Sequence, residues 1–266
     1  MSEQLIRINL RDGDRQEEYW NALIKIRDVM VISEEGEQAD ALITQDWEEA
    51  MRSESPCLLL RPELVDPENL ASLAGFDLRV FPEHLWRFFP KIRAVQESNE
   101  QGLLGEPGLL RVHHWPGTPT LMKCDSTTLE QEAFAQVDLA CWMFGAAPDH
   151  VHALRPPNGI QMHFGFPGEA MALIDVAVKR PVPDDYYSLH LIGSCGAAYA
   201  DSHRNAHLLF RWHNTQAVLE ASDEHLAILN LVQEFVDGIR GKREWGVSLQ
   251  DTLKATQLVN QMGEGA

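Results

Sequence analysis

The chain has 266 residues, enough for one large domain or two modest ones, and its 44% hydrophobic and 23% charged content is that of an ordinary globular protein. Its 40 Asp and Glu against 22 Lys and Arg give a formal net charge of −18, a field that repels phosphate backbones and anionic lipid, so no nucleic acid and no membrane partner is expected. The four cysteines (Cys57, Cys124, Cys141, Cys195) are dispersed and form no CxxC pair, the opening MSEQLIRINLRDGDRQ shows no leader pattern, and no apolar run nears the roughly 20 residues of a membrane helix; a cytoplasmic location is expected.

In chain order, LIRINL (5–10) predicts a strand and RQEEYWNALIKIR (15–27) a helix, through the spacing of Tyr19, Leu23 and Ile26. VMVIS and ADALIT are strand-like, followed by a helical DWEEAMRS, the strand CLLLRP, a short helix at PENLASLAG and the strand FDLRVF. Strands alternating with helices argue for parallel βα units. A polar helix near FFPKIRAVQESNEQG follows, and after Pro107 the pattern changes. One helix, about 128–144, precedes HVHAL, GIQMHFGF, EAMALIDVAV, YYSLHLIG, CGAAYAD, AHLLFRWH and TQAVLEA, which predict a mostly antiparallel sheet. Two helices close the chain: Asp223 to Arg240, stopped by Gly241, and one opened at Ser248 by a capping box, Ser-Leu-Gln-Asp251. The division is placed at 85/86, and the last helices are allowed to pack back on the first domain.

Several segments, taken together, resemble the Gfo/Idh/MocA family of nicotinamide-dependent sugar and inositol oxidoreductases. QGLLGEPGLLRVHHW is similar to the family's sGxLGe turn into the first sheet strand, and VDLACWMFGAAPDHVHAL to its Dlxxwlfg segment. YYSLHLIGSCGAAYAD is similar to the iGtxGsl strand pair, and LVQEFVDGIRGKREWGVSLQDTLKATQLVNQ to the closing helices. The resemblance implies an α/β and α+β chain: residues 1–85 a reduced Rossmann-like parallel-sheet domain, 86–266 an open, mostly antiparallel sheet with helices on one face. It also implies a substrate pocket lined by that sheet.

The residues that would carry the family's chemistry are replaced. In its GxGxxG turn Arg11 stands for the first glycine, Gly13 is kept and Gln16 stands for the third, while Asp12, Asp14, Glu17 and Glu18 crowd the start of the following helix, where a pyrophosphate would sit. Glu34 or Glu35 is left for the ribose hydroxyls. In the counterpart of the EKP motif Leu60 takes the glutamate position and Arg61 the lysine position. Arginine stays protonated at any ordinary pH and cannot shuttle a proton. In GxHxxD, Ala133 and Ala135 take the glycine and histidine positions and Asp138 is kept; a methyl group moves no proton, and Asp138 is read as a structural acid.

The expectation is therefore a divergent protein without NAD(P) binding or redox catalysis. It would act as a homo-oligomer formed through the C-terminal sheet (most simply a dimer), as the partner of an active relative, or as a small-ligand binder. The alternative is an NAD(P)-dependent oxidoreductase of a sugar or polyol, with Arg61 orienting substrate. The histidine groupings His113-His114, His150/His152 and His203/His207 are not expected to bind metal, because His203 and His207 fall on a strand-turn-strand pattern.

Overall fold

Strand β1 (Ile6–Leu10) leads into helix α1 (Gln16–Leu23), strands β2 (Val29–Ile32) and β3 (Ala41–Thr44), α2 (Trp47–Arg52), β4 (Cys57–Leu59), α3 (Pro67–Gly75) and β5 (Val80–Pro82) in the computed structural model. The structure describes residues 5–11, 13, 15–32, 38–75, 79–117, 129–178, 185–202, 206–211, 214–219 and 224–264, without the side chains of 206–219 and 264. Two compact units are present: 1–88 with 223–253, and 89–222 with 254–266.

In the first unit the five strands pair in parallel in the order β2-β1-β3-β4-β5. Parallel strands are covered on both faces and therefore need near-continuous apolar runs. ALIT and CLL are buried throughout, and Ile8, Ile43, Leu58 and Phe81 are fully enclosed. Asp46 caps α2 by accepting from the amides of Glu48 and Glu49. Helix α1 is shorter than the helix expected over 15–27, ending at Leu23. Beyond it, Lys25 and Ile26 make only tight-turn bonds to Ala22 and Leu23, and Asp28 (φ 55°) swings the chain into β2. Ile26 is buried from that turn, so its apolar spacing was satisfied without helix. Helix α6 (Glu224–Ile239) packs against α1, and the first turn of α7 (Leu249–Glu264) adds Leu249 to a cluster with Leu42, Leu59, Leu70 and Leu73.

The second unit opens with α4 (Pro90–Glu100), β6 (Pro107–Trp115) and α5 (Leu129–Phe144). It continues with β7 (His150–Leu154), β8 (Gly159–Phe166), β9 (Ala170–Ala177), β10 (Tyr186–Gly193), β11 (Gly196–Asp201), β12 (Ala206–Arg211) and β13 (Asn214–Leu219). The eight strands pair in the order β13-β12-β11-β10-β6-β9-β8-β7, antiparallel except between β6 and β9. Alternation assigns the faces: in β8 Ile160, Met162 and Phe164 are buried while Gln161 and His163 are exposed. The buried face lies against α5, which contacts β6, β8 and β9.

The helix ends follow the expected chemistry. Gly145 (φ 63°) ends α5, with Ala146 N–H returning to the Cys141 carbonyl, and Gly241 (φ 66°) ends α6 with Lys242 N–H on the Asp237 carbonyl. Ser248 and Asp251 exchange backbone and side-chain bonds as a capping box at the start of α7.

Candidate functional site

An open parallel sheet binds its ligand outside the carboxyl ends of the strands, at the point where the strand order reverses. Here that point lies between β1 and β3. The chain leaves β1 at Arg11, passes Gly13 and enters α1 from Arg15, which is held in the left-handed region at φ 70°. A Cβ on Gly13 would meet Gln45 Oε1 at 3.3 Å, so the glycine lets the loop lie against the segment after β3.

Each arginine at this edge is already matched to a carboxylate. Arg11 Nε donates to Glu49 Oε1 at 2.7 Å, and the buried Thr44 hydroxyl donates to the other oxygen of Glu49 at 2.8 Å. Arg15 donates through Nε to Glu18 and through Nη2 to Glu224 at 2.8 Å, while its Nη1 lies 3.7 Å from Glu83. Burial opposes the charge of Arg15, but Glu83, Tyr19, Glu224 and the bond to Glu18 outweigh it and hold the guanidinium protonated. Arg61, left-handed at φ 49° after β4, turns its buried side chain onto Glu63 with Nε to Oε1 at 3.2 Å.

Glu83 is the hub. It is buried, accepts from the Tyr19 hydroxyl on one oxygen, and accepts from the Arg61 backbone N–H at 2.8 Å on the other. Burial and then Glu83 push the Glu63 carboxyl up, with a backbone hydrogen bond and then the charge and bond of Arg61 only partly offsetting them.

The structure brings Arg11, Gly13 and Gln16 to one edge, and Arg61 to the end of β4. Asp12, Asp14, Glu34 and Glu35 lie outside the described residues. Glu49, Glu83 and Glu224, which decide the electrostatics, were not picked out from the sequence. Three guanidiniums (Arg11, Arg15, Arg61) face five carboxylates (Glu18, Glu49, Glu63, Glu83, Glu224), a balance that stays acidic even with Glu63 protonated. A dinucleotide's pyrophosphate needs free amides and uncommitted positive charge at this edge. Among the described residues, the arginines at this edge are committed to carboxylates and offer a pyrophosphate no uncommitted positive charge.

In the second unit α5 places Asp138 2% exposed, one turn from the half-buried Ala135. The same helix contributes Gln136 and Glu132 to a cluster about His114. His114, on the buried face of β6, has Nδ1 3.0 Å from the Gln136 amide nitrogen and 3.4 Å from Glu132, with the Tyr187 ring edge-on at 5.7 Å. Gln136 is fully buried, and its Oε1 has no hydrogen-bond partner among the described residues. Burial pushes the His114 imidazole down to about 4, with Asp185 acting weakly the other way.

His113, next in the strand, faces the opposite side of the sheet, so the two cannot share a ligand. Among the described residues no group of three or more His, Cys, Asp or Glu could hold a metal ion. The side chains of His203 and His207 lie outside them. Nor is any described helix long and apolar enough to cross a membrane.

The chain matches no protein-family model and no curated protein by sequence. Solved structures do match. An oxidoreductase from Agrobacterium radiobacter in complex with NAD+, L-tartaric acid and magnesium is 14% identical, over 99% of this chain and 96% of that one, at a TM-score of 0.80. Scyllo-inositol dehydrogenase from Lactobacillus casei with bound NAD(H) and scyllo-inositol is 15% identical, over 98% and 96%, at 0.78. UDP-N-acetylglucosamine 3-dehydrogenase from Acidithiobacillus ferrooxidans is 16% identical, over 98% and 97%, at 0.78. At such identities the likeness is one of fold. The fold is that of the Gfo/Idh/MocA-type dehydrogenases, a Rossmann-like parallel sheet followed by a mixed-sheet domain.

Proposed function

We propose that this chain is a Gfo/Idh/MocA-type protein that works without nicotinamide redox chemistry, as a self-associating subunit whose second sheet meets a copy of itself or a relative. The observation that carries the first half is the set of arginine–carboxylate pairs at the carboxyl edge of the parallel sheet: Arg11 with Glu49, Arg15 with Glu18, Glu83 and Glu224, and Arg61 with Glu63. Anions are favoured at such an edge only where the protein has not already supplied them. The lysine and histidine that would move the proton are also replaced, by Arg61 and Ala135. Calorimetric titration with NAD(H) and NADP(H) tests the reading: no heat is expected at millimolar nucleotide, and micromolar binding would overturn it.

A second reading, an NAD(P)-dependent dehydrogenase of a sugar or polyol, is favoured by the match over nearly the whole chain to structures that hold NAD+ or NAD(H). Turnover of a polyol with NAD(P), abolished by Arg61→Ala or Asp138→Asn, would support it. Self-association is supported by the second sheet, whose face away from α5 carries the exposed Leu154 and Met171.

A further inference from the structure

The face of the second sheet away from α5 gathers histidines from four strands. Alternation and register place His150 and His152 of β7, His163 of β8, His113 of β6 and His190 of β10 on that one side. His152 and His163 are direct cross-strand partners, with rings 6.0 Å apart. Charge on this face is otherwise sparse: β6 adds Arg111, β9 adds Asp175 and β11 adds Asp201, with the tyrosines Tyr186 on β10 and Tyr199 on β11. Asp175 lies 3.6 Å from His113 Nδ1 and accepts from Trp115 Nε1 at 3.0 Å. His190 stands edge-on to Tyr199 at 4.7 Å. Beyond β11, the register of β12 sets Ala206, Leu208 and Phe210 beside Asp201, Tyr199 and Ala197.

Resting on the self-association reading above, in which this face meets the same face of a second copy, we infer that protonation of its histidine row separates the two. Area and charge both point to a second copy. Eight strands spaced about 4.8 Å, with about six residues each at about 3.3 Å, give a face of roughly 750 Å², close to the roughly 800 Å² per partner of a stable interface. A chain of net charge −18 repels itself across most pairs of surfaces. With one arginine and two aspartates among its described residues, this face is near neutral, so two copies of it can meet. A two-fold axis through it would also let Arg111 of one copy approach Asp175 or Asp201 of the other.

A docked face is dry, and a dry imidazole resists its proton. The free chain already shows the tendency: burial, then His113, pushes His190 down, Asp201 opposes this, and Arg111 adds to it. Acidification therefore loads protons onto the separated copies and pulls them apart by linkage. The sign is diagnostic. As pH falls the chain loses negative charge and bulk repulsion weakens, so without the histidines acid would tighten the pair.

The test is light scattering with size exclusion on the full chain from about pH 8 to about pH 5.8, with sedimentation equilibrium for the dissociation constant. A dimer is expected at the upper pH, with the constant rising at least about tenfold at the lower. In H113Q/H190Q most of that rise should vanish. Met171→Glu, at an exposed position of the face, should give a monomer at the upper pH with unchanged circular dichroism. A wild-type monomer at every pH overturns self-association itself. A dimer whose constant is flat or falls on acidification, or that loosens equally in H113Q/H190Q, overturns only the histidine switch. A dimer that survives Met171→Glu places the interface on another face and overturns the docking surface.

Discussion

Burial of His114 makes a prediction whose sign can be worked out. Its imidazole is 5% exposed, and burial pushes it from 6.5 to about 4, so the folded chain holds it neutral at pH 7. The unfolded chain takes the proton as pH falls through about 6.5 and the folded chain only near 4, so His114 contributes stability that is present above 6.5 and lost between those values. At about 1.4 kcal/mol for each factor of ten in proton affinity, the contribution amounts to about 3 kcal/mol. Glu132, 3.4 Å from Nδ1, argues in the opposite direction, since a carboxylate that close favours the charged ring. For a ring enclosed this fully the lost hydration is the larger effect. The assay is urea unfolding of the wild type and His114→Gln from pH 7 to pH 4.5, with the imidazole titration followed by NMR. The stability difference between the two should move by about 2–3 kcal/mol toward the variant as pH falls. A difference constant to within about 0.5 kcal/mol, or an imidazole that protonates above 6.5, would show that Glu132 governs the site and refute the reasoning.

Other consequences follow from the first unit. Glu63 is held above the ordinary carboxylate range, so its ionisation opposes folding as pH rises past 4.5; Glu63→Gln should stabilise the chain at pH 7, with the gain gone near pH 4 in denaturant titrations. Glu83→Gln leaves one acceptor atom for two donors, the Tyr19 hydroxyl and the Arg61 amide, and should cost about 2–3 kcal/mol. Tyr19→Phe, which removes one donor, should cost about 1 kcal/mol, and a loss below about 0.5 kcal/mol for both variants would deny Glu83 its role as hub. Alanine normally improves on glycine inside a helix, but a Cβ on Gly238 of α6 would lie 1.8 Å from Nε1 of Trp245, whose ring is held by Phe81 and Phe235. Gly238→Ala should therefore lower stability by about 1–3 kcal/mol in thermal melts, against the helix-propensity trend.

What could be read from the sequence followed from local rules. Alternating apolar residues gave the strands of the second sheet, the glycines at 145 and 241 marked the ends of α5 and α6, and Ser248 with Asp251 marked the start of α7. Local pattern overreached where a turn could bury the same residue, as at Ile26 after α1. The substituted positions Arg11, Gln16, Arg61 and Ala135 were equally legible, because each is a departure at a fixed place in a motif. Their partners were not. Glu49 lies 38 residues from Arg11, and Glu224 lies 209 from Arg15. No periodicity links residues so far apart; only the folded sheet edge does. His114 was visible only as one of a histidine pair, and its buried role was not, since that depends on which face of β6 the register of the sheet turns toward α5.

That network also decides what repair of the motif should achieve. Arg11→Gly with Gln16→Gly restores the glycine pattern on paper, and if the lost glycines alone blocked the cofactor, the double variant should bind NADH. The structure argues otherwise. Anion binding at a helix N-terminus is worth up to about 2 kcal/mol, whereas separating a buried charge from its partner costs about 3–5 kcal/mol. To present Arg15 to a phosphate, Glu83 would have to lose that cation at 7% side-chain exposure, keeping only the Tyr19 hydroxyl and the Arg61 amide as partners. Removing Arg11 would in turn leave the Glu49 carboxylate, still hydrogen-bonded by Thr44, at the reversal point of the sheet, facing the incoming charge. The double variant should therefore show no NADH fluorescence change at micromolar nucleotide, and adding Glu49→Gln and Glu83→Gln should be required before any appears. Binding by the double variant alone would mean that glycine geometry, not the carboxylates, closes this edge.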